Sequence, residues 1–210
     1  AKRAGKGRVE AYESSMSADV RHRLELERAL RRALERDELV LHYQPVIVLA
    51  TGAVRGVEAL VRWEHPEFGR LLPQQFIPLA EETGLITQVG NWVLREACRQ
   101  LMAWRAAGLS PDLRIAVNVS SRELLHDRDI AADVRAVLDD TGLDARHLVL
   151  EITESGLMQQ TTDALEKLKD LKALGVRLAI DDFGTGYSSL SYLKRFPIDV
   201  LKIAKPFIED

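Results

Sequence analysis

The chain has 210 residues, of which 46% are hydrophobic and 29% charged, with a formal net charge of −3. At roughly 100–200 residues per domain this is one large domain, or one domain with an appended segment. The mix excludes a disordered, collagen-like or coiled-coil chain, and the charge excludes a polycation built as a whole for nucleic acid. Residues 1–13, AKRAGKGRVEAYE, carry Lys2, Arg3, Lys6 and Arg8 and read as a solvated tail, a nucleic-acid arm being the alternative. The start at Ala1, with no signal peptide visible, leads us to expect a piece of a longer product.

A helix is expected from about Ala18 to Asp37, with Ser17 as N-cap. Leu26, Leu30 and Ala33 make one stripe at helical spacing, and Arg21, Glu25, Arg28, Arg32 and Glu35 face solvent. From Leu39 onward short apolar runs alternate with helical stretches. The strand candidates are 39–49, 53–63, 113–120, 147–153, 176–182 and 199–204. Thr51-Gly52 marks a hairpin between the first two. Helices are expected at about 87–107, 127–140 and 161–174, with Gly175 closing the last, and a shorter one over Ser188–Arg195 before Pro197. Strands alternating with ~10–15-residue helices argue for βαβ units and a parallel sheet, and the nearly continuous apolar character of the strands agrees. Both an open doubly wound sheet and a (β/α) barrel satisfy this pattern. Asp182-Phe183-Gly184-Thr185-Gly186 is the one glycine-rich turn after a strand, and it lacks a third glycine and a P-loop lysine.

The polar residues discriminate better. Glu58, Asn118, Glu151, Asp181 with Asp182, and Lys202 each interrupt an apolar strand near its C-terminal end. A buried carboxylate is costly unless paired or bound to metal. One such residue reads as a structural hydrogen bond; six at equivalent positions of successive strands fit a barrel whose strand ends converge on one mouth. These side chains offer mostly oxygen ligands, which suit hard cations such as Mg²⁺ or Mn²⁺. Two such ions ~3.5–4 Å apart are a known device for phosphoester cleavage, and Lys202 could orient or help deprotonate the attacking water. Asp181 and Asp182 would point oppositely on a strand, but both could reach metals if the strand ends there. The five histidines (22, 42, 65, 126 and 147) show no ligand spacing. Cys98, alone in the chain, precludes an internal disulfide and fits a reducing compartment as a packed hydrophobe. No apolar run approaches the ~18–20 residues of a membrane span. Trp63, Trp92 and Trp104 read as core.

Glu58-Ala59-Leu60 with Arg62-Trp63, Asn118-Val119-Ser120, Glu151-Ile152-Thr153-Glu154, 181–186 and Leu201-Lys202-Ile203 resemble the EAL family of bacterial cyclic di-GMP phosphodiesterases. Tyr43-Gln44-Pro45 and Phe76-Ile77-Pro78-Leu79-Ala80-Glu81-Glu82-Thr83-Gly84 fit it too, so the resemblance spans about 38–210. Residues 1–14 resemble the end of a GGDEF domain, with 15–37 as a linker helix. The resemblance implies an α/β fold, a TIM-like (β/α) barrel with an antiparallel first strand. It implies two Mg²⁺ or Mn²⁺ ions held by Glu58, Asn118, Glu151, Asp181 and Asp182, with Lys202 near the nucleophilic water. Gln44, Leu60 and Arg62 would line the nucleotide site. Glu154 would anchor the loop 182–190, which in this family links catalysis to dimerisation, so a homodimer through the EAL domain is expected. The reaction would be hydrolysis of cyclic di-GMP to linear pGpG, in the cytoplasm, beside a GGDEF domain and with no DNA or membrane contact from this segment; an upstream membrane anchor in the parent protein is compatible.

Two departures from the family pattern count against full activity. Ala204 stands where the family has aspartate after Leu-Lys-Ile. Residues 38–210 also fall short of the ~250 typical of the barrel, so the last two strands, a further catalytic glutamate and a glutamine are expected to be missing. Weak or absent turnover by this segment itself follows. The alternatives are a degenerate module that binds cyclic di-GMP or regulates its neighbour without cleavage, and a scaffold domain that binds no nucleotide.

Overall fold

The computed structural model describes residues 14–125, 129–154, 157, 162–185 and 195–208. The basic tail, His126, Gly186 and the helix expected over 188–195, apart from Arg195, lie outside the described residues.

The first helix, α1 (Ser14–Ala33), stops four residues before the expected end. There Glu38 N–H returns to the Ala33 carbonyl at 3.2 Å and Asp37 turns to φ 54°, which closes the helix with a tight turn. Leu26, Leu30 and Ala33 are buried, as their spacing predicts. Strands β1 (Leu39–Ile47) and β2 (Val54–His65) form the expected antiparallel hairpin. Gly52, at φ 70°, closes its loop by donating to the Val48 carbonyl at 2.8 Å, a left-handed position that glycine occupies without strain.

Among the described residues, one strand and two α-helices are not anticipated by the sequence pattern. Strand β3 (Gly69–Leu71) folds back on the end of β2. Helix α2 (Pro73–Thr83) starts with proline, whose missing N–H is no loss in a first turn, and the Gln75 side chain accepts from Leu72 N–H at 2.7 Å. Gly84, at φ 76°, ends it. Helix α4 (Ser121–Leu125) is one turn after β4 (Arg114–Asn118). The remaining elements follow expectation within a few residues: α3 (Ile86–Ala106), α5 (Ile130–Thr141), β5 (Leu148–Thr153), α6 (Thr162–Ala173), β6 (Arg177–Phe183) and β7 (Val200–Ile203).

The strands form one sheet in the order β1-β2-β4-β5-β6-β7, with β3 attached to β2. Along that order every pair from β2 onward is parallel, and β3 pairs antiparallel with β2. Among the described residues β1 and β7 are the two edges, so the barrel is an open arc. Its outer face carries the main core: Trp63, Ile115, Leu148, Leu150, Ile152, Leu178 and Ile180 pack beneath the helices with Phe76, Leu101 and Leu168. Trp63 meets Phe76 edge-on, with centroids 5.7 Å apart, and donates its indole N–H to Glu38 at 3.0 Å. Cys98 is buried, and Trp92 and Trp104 pack partly buried against this core. The inner face carries a small apolar floor, Ala116, Val149 and Ala179 with Val200 beside them.

Candidate functional site

Side chains two apart on a strand share a face, so the cross-strand pairing fixes what lies above that floor. Glu58 pairs with Ala116, and Asn118 pairs with Glu151. Glu151 pairs with Ala179, two residues before Asp181. Gln44 on β1 pairs with Glu58, so Gln44, Glu58, Leu60 and Arg62 take the same inner face. The polar positions are staggered rather than level. They climb two residues from Glu58 to Asn118, and two more from Glu151 to Asp181, as the tilted strands of a barrel require.

Stagger and curvature together bring the side chains to one point. Glu58, Glu151 and Asp181 each present an oxygen, and these atoms lie within 4.8 Å of one another. Lys202 Nζ stands among them. It donates to Glu58 Oε2 at 2.8 Å and to Glu151 Oε2 at 2.5 Å, and lies 3.1 Å from Asp181 Oδ1. Asn118 Nδ2 donates to the other Glu58 oxygen at 2.8 Å.

Three carboxylates against one ammonium leave the cluster short of positive charge. Burial pushes the Glu151 carboxyl up to about 7, with the hydrogen bond and charge of Lys202 opposing and the charges of Glu58 and Asp181 adding to the rise. Burial alone would lower the Lys202 ammonium, but its hydrogen bonds to Glu151 and Glu58 outweigh that and hold it well above its ordinary value. In this arrangement Lys202 is a donor and a positive charge, not a base. Hard oxygen donors converging with excess negative charge fit a divalent cation of the Mg²⁺ or Mn²⁺ type.

Asp182 is not in this cluster. Strand β6 continues through Phe183, and Asp182 is exposed in a left-handed conformation, φ 53°. Its carbonyl accepts from the Thr185 hydroxyl at 2.8 Å. Glu154, 1% exposed, accepts from Gly184 N–H at 2.6 Å, so it grips the described start of the loop 182–190. Gly184 sits at φ 102°, and a Cβ there would come within 2.8 Å of the Phe207 ring. Gly186, Ser188 and Ser189 lie outside the described residues. Ala204 is buried, and its N–H donates to the Phe183 carbonyl at 3.2 Å.

A cavity of about 430 Å³ adjoins the cluster, lined by Leu60, Pro78, Glu81, Asn118, Ser120 and Glu123 among others. Arg62 donates to the Val61 carbonyl at 2.8 Å. A larger hollow, about 590 Å³, opens away from the carboxylates, between α1 and the β2–β3 turn. Its lining mixes Arg28, Arg32 and Arg36 with Glu25, Glu38 and Glu67, the make-up of a solvated charged groove. The residues that sequence reasoning missed are Ser120 and Glu123, which hold the turn after Asn118. The signal was present: Ser120-Ser121-Arg122-Glu123 is an S-x-x-E capping box, and Ser120 N–H donates to Glu123 at 2.9 Å.

An arc of parallel strands, closed at one end by an antiparallel hairpin and carrying carboxylates at its C-terminal rim, defines a TIM-like (β/α) domain with an acidic mouth. The profile of the EAL domain matches residues 27–210, and the chain belongs to that family. It is 51% identical over 199 residues to the bifunctional diguanylate cyclase/cyclic di-GMP phosphodiesterase MucR of Pseudomonas aeruginosa, covering 95% of this chain and 29% of that protein. It is 43% identical over 210 residues to the cyclic di-GMP phosphodiesterase PdeR of Escherichia coli, covering 100% of this chain and 31% of that protein. The solved structure of the PaMucR phosphodiesterase in complex with c-di-GMP superposes with a TM-score of 0.82 at 52% identity, over 88% of this chain and 74% of that one. The chain thus spans under a third of the length of these two curated relatives.

Proposed function

We propose that this chain is the catalytic unit of a cyclic di-GMP phosphodiesterase that hydrolyses one phosphodiester to give linear pGpG. One observation carries the reading: Glu58, Glu151 and Asp181, from three separate strands, converge within 4.8 Å beside Asn118 and Lys202. The names of the relatives supply the substrate class. Glu58, Asn118, Glu151 and Asp181 would hold Mg²⁺ or Mn²⁺, with Asp182 serving a second ion. Bound there, such ions supply charge neutralisation at the phosphodiester and activation of water. Lys202 would donate to the attacking water or to a phosphate oxygen. Arg62 offers a planar fork to the other phosphate, and Gln44 and Leu60 line the nucleotide. Glu154 ties Gly184, at the described start of the loop 182–190, to the end of β5, and a homodimer through this domain is part of the proposed reading. The proposed division is a GGDEF-like tail (1–14), a linker helix (15–37) and the EAL domain (38–210), in a cytoplasmic setting.

Ala204 favours a second reading, a receptor that binds cyclic di-GMP without cleaving it. A methyl group stands, 3% exposed, where the family places an acid. One experiment separates the two. Incubation with cyclic di-GMP and Mn²⁺, run on this chain and on the full-length product side by side, is expected to give pGpG from the full-length product and weak turnover from this chain. Tight binding with no pGpG from either favours the receptor, and absence of binding sinks both.

A further inference from the structure

Asn118 is exposed, and past it β4 keeps one ladder bond, Val119 N–H to the Glu151 carbonyl at 2.8 Å. What holds the strand end is a brace from outside the sheet. The Ser120 hydroxyl donates to Glu81 Oε1 at 2.6 Å and accepts from Arg122 N–H at 3.2 Å. Arg122 Nη1 donates back to the Glu81 carbonyl at 2.5 Å. Glu123 occupies space that Gly90 leaves free on α3: a Cβ at Gly90 would fall 2.0 Å from Glu123 Oε1. Helices α2 and α3 therefore clamp the turn from two sides.

Local stability does not account for Glu81. It sits near the C-terminus of α2, where the helix dipole disfavours negative charge. We propose that Glu81 is a positioning residue: through Ser120 it fixes the end of β4, so that Asn118 keeps its amide N–H on Glu58 and turns its oxygen to the cation. The inference rests on the cation-binding reading of the cluster. The strut Glu81–Ser120–Asn118–Glu58 crosses from α2 to β2 through the β4 turn and meets Lys202 at its far end, on Glu58.

The test is calorimetric titration of Mn²⁺ into this chain, with thermal melting as the control for folding. Glu81→Ala and Ser120→Ala are each expected to weaken Mn²⁺ about tenfold, the scale of outer-sphere metal effects. The double variant should be no weaker than either single one, because both remove the same contact. Glu81→Gln keeps an oxygen for the Ser120 hydroxyl and should stay within about threefold of the parent. Unchanged Mn²⁺ affinity in both alanine variants, or additive losses in the double variant, overturns the proposal while leaving the cation site standing. Should the alanine variants melt early, Glu81→Gln and Ser120→Thr decide instead: a loss of Mn²⁺ binding in Glu81→Gln with normal melting shows that the charge itself acts, and overturns the positioning role. If the parent chain takes up no Mn²⁺, the cation-binding reading falls, and this inference falls with it.

Discussion

Strand β5 shows the two faces of the sheet in six residues. Leu148, Leu150 and Ile152 point outward and are almost wholly buried beneath the helices. Val149 and Glu151 point inward, one onto the small floor and one into the carboxylate cluster. The outer face gains from every methylene removed from water, roughly 25 cal/mol per Å². The inner face spends part of that stability on a buried carboxylate that Lys202 only partly neutralises. The two faces should therefore respond oppositely to substitution. Outer changes should cost stability and leave cation affinity per folded molecule intact, and inner changes should do the reverse.

The largest expected effect is on the outer face. Trp63→Ala removes a fully buried indole and its hydrogen bond to Glu38, at about 3–5 kcal/mol. Urea denaturation should record that loss, a large part of the ~5–15 kcal/mol a typical domain possesses. Mn²⁺ affinity measured below the transition should stay within about twofold. A loss of affinity with unchanged stability would invert the assignment of the two faces. Next comes Glu151→Ala on the inner face. It should abolish detectable Mn²⁺ uptake, at least about a hundredfold, and the metal-free protein should melt no lower than the parent above pH 7.

The pH dependence follows from the same carboxyl. Burial raises Glu151 from its ordinary 4.5 to about 7, so the folded metal-free protein holds that proton more tightly than the unfolded chain does. The contribution of Glu151 to stability is then most favourable below about 4.5 and is lost as pH rises through about 7. Mn²⁺ competes for the same oxygen. Its apparent affinity should fall about tenfold per unit as pH drops below about 7, one proton being taken up per ion released. Titrations at pH 6 and 8 check this, and equal affinities would show that Glu151 is not a ligand.

Much of this contrast was readable in the sequence, because parallel strands buried on both faces read as continuous apolar runs and a single polar residue stands out. LVLEIT announced Glu151 in that way. The stagger is not readable, since it depends on strand tilt: the residues do sit near the strand ends, but Asn118 lies two residues beyond the partner of Glu58 and Asp181 two beyond the partner of Glu151. Helix α2 is hard to read from the sequence because Pro73 and Pro78 weigh against a helix, although Pro73 falls at the first position, where it is tolerated. The brace on Asn118 was half readable: the capping box is local, but its hold on Glu81 joins residues 39 apart.

The smallest effect concerns Asp182, where the family pattern and the structure differ. Asp182 matches the second acid of the family pattern, yet its side chain is exposed outside the carboxylate cluster and its backbone is left-handed. A left-handed residue with a Cβ costs about 1–2 kcal/mol, somewhat less for aspartate, and such strain persists where the surroundings enforce it. Here the Thr185 hydroxyl on the Asp182 carbonyl and the Glu154 grip on Gly184 hold the turn. Asp182→Gly keeps the turn and removes both the strain and the carboxylate. It should raise stability by up to about 1 kcal/mol and lower turnover of cyclic di-GMP by the full-length product, with Mn²⁺ affinity at the Glu58–Glu151–Asp181 cluster little changed. A variant that is more stable and equally active would mean that this backbone conformation belongs to the turn alone, and that the second acid serves no ion.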